Sequence, residues 1–513
     1  MKKLISLLLA LTLMLGCVGA VAEAATDPIS ITAFQYELGN QEIDFANLWF
    51  FKELEAKTGV HVDFQEVKDA DWATQLNLMF ASADYADVII RGDVDVEEYG
   101  VTQGILVPLD EYLEKDMPNY FSRLKLNNAG DSIPASDGKS YYVGYLLAQG
   151  VNHMGTWYIN KSWLDKLGLA VPTTVDELTE VLRAFKTQDP NGNGEADEIP
   201  FTCDFNIDAG QVVVEDLINQ FAMFGVPEND LFVCIDDSDK VQFTGTMPGW
   251  RACVEWLHTL YSEGLMDIEA LTQDSNMWAN KINANQVGYF TYLRLKNTAL
   301  TEETQAMYEP MLPPSSADYK ARVSAILEVP EQGARVTIAN ENIDRTLQWL
   351  DAQMETETMM VAGNGKMDDM IALNDAGKYE VQYIPENNGL YDIVPVICGQ
   401  FFAPGDYYSE IYQMAPHRQQ RYDDSVSYAQ AGVLEPKSYN YLNKLSKMTN
   451  ENAEESAVIF TDLKACMKEA ITDFILNGVT DDSYSAYLGK LSSIGYERYV
   501  ELYQQAYDAY LAK

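Results

Sequence analysis

Between residues 29 and 90 the apolar pattern changes period repeatedly, and that switching constrains the fold more than any other stretch. Ile29 to Phe34 alternates, with Ile29, Ile31 and Ala33 on one face. A polar loop, Gln35 to Glu42, follows. Residues 44–57 then set Phe45, Leu48, Phe51, Leu54 and Ala56 at helical spacing, and Gly59 reads as the stop. Val60 to Val67 alternates again, Trp72 to Phe80 is a second helix, and Ala86 to Ile90 is a third strand. Strands alternating with helices of this length need right-handed crossovers, which predicts an α/β fold with a mostly parallel sheet. Ligands of such sheets sit beyond the carboxyl ends of the strands. That directs Gln35, Tyr36, Glu37 and Asn40, then Arg91, Gly92 and Asp93, and the stretch from Tyr141 to Gln149 toward a candidate cleft.

At 513 residues the chain exceeds one hydrophobic core, so two lobes are expected. Residues 144–158 read as the crossing from the first lobe to the second. The second lobe is expected to hold helices at Val212–Phe224 and Trp250–Tyr261 and a strand at Val287–Tyr292, with one alternate set of Tyr289, Phe290 and Tyr292 facing the cleft. Ser324 to Ala339, turning at Pro330 to Gly333, reads as the return, followed by a helix from Thr346 to Met354. The last third turns helical. Phe460, Leu463, Met467, Ile471, Phe474 and Ile475 step by three and four up to Asn477-Gly478, and Tyr499, Leu502, Tyr503, Ala506 and Tyr510 repeat the pattern as packing stripes. The expected division is a signal peptide over 1–24, lobe 1 over 25–150, lobe 2 over 151–320, a return to lobe 1 over 321–380 and a mainly helical completion of lobe 2 over 381–513.

The most specific local signal is Asp189-Pro190-Asn191-Gly192-Asn193-Gly194-Glu195-Ala196-Asp197-Glu198. Side-chain oxygens recur at Asp189, Asn191, Asn193 and Asp197, with Gly194 at the sixth place, where a calcium loop turns sharply. Position twelve is Pro200 instead of Glu, which leaves Glu198 as the nearest source of a further carboxylate. The alternative is an Asn/Gly turn that holds no metal. Thr174 and Glu177 form a predicted capping box for the preceding helix.

The runs Trp157-Tyr-Ile-Asn-Lys-Ser-Trp-Leu-Asp-Lys-Leu-Gly-Leu169, Pro172-Thr-Thr-Val-Asp-Glu-Leu178 and Asp189 to Pro200 resemble the extracellular solute-binding proteins of carbohydrate ABC importers. The likeness is strongest to the alginate-binding and LplA-like lipoprotein subfamily. It implies a two-lobed α/β fold of the periplasmic-binding-protein type II kind with a helical C-terminal third. It also implies one structural Ca2+ held by Asp189, Asn191, Asn193, the carbonyl of Glu195, Asp197 and Glu198, and an ABC permease as partner. The implied mechanism is capture of an oligosaccharide by hinge closure, with no catalysis and a monomeric chain. Candidate ligand contacts are Tyr36, Arg91, Asp93, Tyr145, Trp157, Asp204, Trp278, Tyr292 and Phe402.

Composition limits the alternatives. The net charge of −43, from 78 acidic and 35 basic residues, excludes nucleic acid and a basic membrane-binding patch as expected partners. It also disfavours a polyanionic ligand, unless a local Arg/Lys pocket overrides the average. Lys2-Lys3 followed by Leu4 to Leu15 reads as an export signal, too short to span a bilayer. Cleavage after Ala24, in Ala22-Glu23-Ala24, and lipidation at Cys17 are both open exits. Cys203, Cys234, Cys253, Cys398 and Cys466 imply no full disulfide framework, and no Cys/His cluster suggests zinc. No nucleophile elbow, zincin or phosphate-loop motif is present. A two-carboxylate glycosidase leaves no spacing signature, so a secreted polysaccharide-active enzyme, like a sugar-binding surface or sensor module, stays an alternative.

Overall fold

The computed structural model describes residues 28–512 apart from 38–43, 126–129, 131–132, 145–154, 206–216, 228, 230, 293–294, 296–299, 326–332, 383–410, 414–415, 436, 440 and 443–445. The signal segment, Tyr145, Phe402, Cys17 and Cys398 therefore lie outside the described residues.

The opening alternation folds as β1 (Ile29–Glu37), α1 (Trp49–Thr58), β2 (Val60–Lys68), α2 (Asp69–Ser82) and β3 (Val88–Ile90). β1 pairs in parallel with β2, from Ile29 opposite Val60, and with β3, from Ala33 opposite Val88. The returning strand Ala334–Val336 adds an antiparallel edge to β3, giving the order Ala334–Val336, β3, β1, β2. Ile31, Ala33, Phe34, Val88, Ile89 and Ile90 are all fully buried in the first core, which also takes Leu347 and Leu350 from the helix Ile343–Ala352.

A separate second core forms around another four-stranded sheet. Here β4 (Thr156–Asn160) lies antiparallel to the strand Val287–Tyr292 and to Tyr308–Met311, while Ile199–Phe201 runs parallel to Val287–Tyr292. Both faces of this sheet are covered. Tyr289 enters the second core, whereas Phe290 joins a small third core with Tyr158, Trp278 and Tyr308. The expected cleft-facing alternate set is therefore absent from Val287 to Thr291, where every residue is buried, and only Tyr292 is half-buried. The reason is non-local. The helix Ser275–Asn283 brings Trp278 edge-on to Phe290, 5.3 Å between ring centres.

The C-terminal helices Asn450–Asn477, Asp481–Ile494 and Tyr496–Leu511 complete the second core. Trp250, on the helix Pro248–Ser262, stacks on Tyr487 at 4.7 Å and meets the edge of Phe474. Tyr499 and Tyr507 are buried packing residues. His258 Nδ1 lies 2.8 Å from the carbonyl of Ile475, a satisfied histidine at a helix–helix contact. The expected helix at Val212–Phe224 is described from Leu217, where Leu217–Phe224 is a 3-10 helix.

The chain passes between cores a third time. Tyr412 belongs to the first core and Tyr428 to the second, and the helix Pro416–Gln430 lies between and over these positions. Tyr428 fixes that helix by donating its hydroxyl to the carbonyl of Met311 at 2.9 Å. On the same helix Asp424 is 7% exposed, with Oδ1 accepting from Gln420 Nε2 and Oδ2 lacking a partner. Burial pushes its carboxyl up to about 6, with the charge of Asp423 adding to the effect. A carboxyl whose folded pKa is raised stabilises the fold below its unfolded value and loses that contribution as pH rises through the folded value. Asp424→Asn is therefore expected to remove roughly 3 kcal/mol of stability loss between about pH 4 and 6. Urea unfolding of both proteins across that range measures the difference, and parallel pH profiles would contradict it.

Candidate functional site

The carboxyl ends of β1 and β3 open into a cavity of about 580 Å³ in the first lobe. Ligand pockets of roughly 300–1,000 Å³ suit small molecules or a few sugar units. β1 delivers Tyr36. After β3, Arg91 and Gly92 both take left-handed conformations, at φ 62° and 63°, and turn Asp93, Val94 and Asp95 across the strand ends. α2 supplies Trp72, Ala73, Leu76 and Asn77 from one face, consistent with four-residue spacing. Tyr99 closes the far side.

The turn after β3 is held from below. Arg335, fully buried, donates Nη1–H to the carbonyls of Arg91 and Gly92 at 3.2 Å and of Gly333 at 3.1 Å. Trp72 donates its indole N–H to the carbonyl of Asp93 at 3.0 Å, so the rest of its ring acts as an apolar wall. Tyr36 meets that ring edge to face at 5.2 Å. A Cβ on Gly92 would stand 2.3 Å from the Trp72 ring, so only glycine allows this approach. Tyr99 stacks on Phe80. Burial, with the charges of Glu98 and Asp95, raises its phenol and keeps it a neutral hydroxyl. Asp95 accepts the amide of Glu98 through one oxygen. The cavity thus combines aromatic carbon with carboxylate, amide and phenol groups, the set that stacks on sugar rings and bonds their hydroxyls.

The Asn/Gly loop lies in the second lobe, between the helix Val175–Thr187 and the strand Ile199–Phe201. The helix has the expected capping box between Thr174 and Glu177. Asp189 adopts φ 46° and accepts the amides of Gly192 and Gly194. Asp197 collects three amide donors, Asn191 Nδ2, Asn193 Nδ2 and Gln286 Nε2, which hold its carboxyl below the usual range. Glu198 is 2% exposed and its Oε1 has no partner. Burial, with the charges of Asp197 and Asp189, raises its carboxyl. Among the described residues no three His, Cys, Asp or Glu side chains converge on one point. The loop is nevertheless rich in side-chain oxygens, and the buried Glu198 oxygen without a partner suits a hard cation.

Comparison with known proteins places these features. The family model for bacterial extracellular solute-binding proteins matches residues 38–216. The chain is 29% identical over 486 residues to the fructooligosaccharide ABC transporter substrate-binding protein FusA of Streptococcus pneumoniae, covering 90% of this chain and 87% of FusA. The fold superposes on FusA in complex with kestose with a TM-score of 0.75 at 26% identity, over 94% of this chain and all of that one. Over residues 38–216 the chain is similar to the bacterial extracellular solute-binding proteins, and its likeness to FusA runs through nearly its whole length. FusA has also been solved as an EF-hand mutant in complex with fructo-nystose. A human-milk-oligosaccharide-binding solute-binding protein of Bifidobacterium longum infantis shares the fold, with a TM-score of 0.78 at 20% identity over 95% of this chain and 99% of that one. The polygalacturonan/rhamnogalacturonan-binding protein YtcQ of Bacillus subtilis is 32% identical over 148 residues, 28% of each chain.

Within this solute-binding fold, Tyr36 and Asp93 line one cavity, and Arg91 lies buried in the turn between β3 and that cavity. Trp157 is fully buried in the second core, where its ring meets Tyr428 and anchors the third crossing. Trp278 is 2% exposed and stacks on Tyr292 at 4.9 Å, so its ring presents no open face. Asp204 is buried just after the strand Ile199–Phe201, with Oδ1 accepting the amide of Phe205 and burial raising its carboxyl. Trp72, Asn77, Asp95 and Tyr99 were not among the residues expected at the site. Trp72 carries the one available signal, an aromatic in the first turns of the helix that follows a sheet strand. Gly92→Ala is expected to strain the left-handed turn and displace Trp72, costing about 2 kcal/mol or more. Chemical denaturation with indole fluorescence measures this, and unchanged stability and emission would contradict the packing described.

Proposed function

We propose that this protein is the extracytoplasmic substrate-binding component of an ABC importer, which clamps an oligosaccharide between two lobes and hands it to a membrane permease. The observation that carries this reading is the 486-residue relationship to FusA, which runs through both lobes instead of stopping at one. The first-lobe cavity supports it with exposed hydroxyl acceptors beside Tyr36 and Trp72. The chain is exported and works as a monomer, with Cys17 a site for a lipid anchor. It holds its ligand without altering any bond. Closure follows from the extra contacts a ligand makes when both lobes touch it. Of the residues expected from sequence, Tyr36 and Asp93 are the contacts that the cavity supports.

The Asn/Gly loop holds one Ca2+ through Asp189, Asn191, Asn193, the Glu195 carbonyl, Asp197 and Glu198. A bound cation supplies the charge that offsets burial of the Glu198 carboxylate and the repulsion among its neighbours. Because the loop joins a core helix to a sheet strand, cation binding adds to the stability of the second lobe.

Two outcomes follow. Calorimetric titration with a panel of oligosaccharides is expected to give saturable binding with no product formed, and ligand at 100 times Kd is expected to stabilise the fold by about 2.7 kcal/mol. Release of shorter glycans during the titration would contradict the reading. Separately, EDTA is expected to lower the melting temperature, calcium to restore it, and Glu198→Gln to weaken that restoration. A melting temperature indifferent to EDTA would remove the calcium assignment.

A further inference from the structure

Sugar chains occur both uncharged and as polyuronates, and the oligosaccharide reading alone does not choose between them. The cavity wall does. Its exposed polar side chains are Asp93, Asp95 and Asn77, with the Tyr36 and Tyr99 phenols beside them, and no Lys, Arg or His lines it among the described residues. Arg91, in the turn itself, is buried, and the buried Arg335 directs Nη1 to three backbone carbonyls beneath the turn. The first two passages between the cores share this bias: residues 144–155 and 326–333 contain no Lys or Arg, and Glu328 and Glu331 fall within the second.

A carboxylate that faces a cavity accepts from two adjacent hydroxyls of one ring, and such charge-assisted bonds are the strong ones. The ring's C–H face can then lie against the Tyr36 and Trp72 rings. A uronate entering the same space brings a second anion to Asp93 and Asp95 with no cation to separate them, and like charges at close range oppose binding. Resting on the solute-binding reading above, we propose that the first-lobe cavity is a subsite for an uncharged sugar ring, with Asp93 and Asp95 as its hydroxyl acceptors, and that it excludes uronates.

The test is calorimetric titration of the calcium-loaded mature chain with neutral fructo- and galacto-oligosaccharides, with oligogalacturonate and oligoalginate, and with glucosamine trimer beside its N-acetylated form. At least one neutral oligosaccharide is expected to bind, with uronates about 10-fold weaker or worse at low salt and the gap narrowing as salt screens the repulsion. Asp93→Asn is expected to weaken the neutral ligand about 10-fold and to relax the discrimination, at an unchanged ligand-free melting temperature. Asp95→Asn, which keeps an oxygen for the Glu98 amide, provides a second variant should the first unfold. Uronates binding as tightly as neutral chains, or glucosamine trimer binding more tightly than its acetylated form, would overturn the proposal while leaving the solute-binding reading intact. Failure of every glycan to bind would overturn that reading, and the proposal with it.

Discussion

Arg335 is the interaction on which both the cavity and the crossings depend. It sits on the strand that returns to the first sheet, fully buried, and gathers carbonyls from the turn after β3 and from Gly333. A buried guanidinium needs acceptors, and backbone carbonyls that converge on it become fixed in consequence. The left-handed Arg91–Gly92 turn is therefore held by the segment that carries the chain back from the second lobe. The outgoing segment joins the same unit, because Val143 and Ala334 exchange both backbone hydrogen bonds. A Cβ on Gly333 would overlap the Val143 carbonyl, so the two crossing backbones touch. Contacts made in the cavity are thus mechanically continuous with two of the passages between the cores.

The second lobe is built to be rigid. Its sheet is covered on both faces, Trp250 locks the C-terminal helices to the helix Pro248–Ser262, and Tyr428 pins the third passage to the strand Tyr308–Met311. The Asn/Gly loop belongs to the same logic. Asp197 reaches Gln286 just before the strand Val287–Tyr292, so the loop's conformation is tied to the register of the sheet. A cation there would tighten a scaffold already organised by hydrogen bonds.

Much of this was legible in local sequence. The two-residue alternation in β1 and β2 is strong because each strand buries one dominant face, and the Thr174–Glu177 capping box formed as read. What escaped was non-local. Helical spacing marks Trp72 as a helix residue, but its role at the cavity follows from a glycine twenty residues later that lets its ring approach. The alternation of Tyr289, Phe290 and Tyr292 suggests one open face, yet a helix from elsewhere covers it. Burial of Trp157 likewise depends on Tyr428, far along the chain. Periodicity reports which face is apolar; it does not report what covers the other one.

A clamp formed by two cores becomes more compact when it closes on a carbohydrate. Small-angle X-ray scattering of the chain in calcium-containing buffer, alone and at saturating concentration of an oligosaccharide that binds, tests this closure. A smaller radius of gyration and a shorter maximum dimension are expected with ligand present. Identical scattering curves with and without saturating ligand would contradict it.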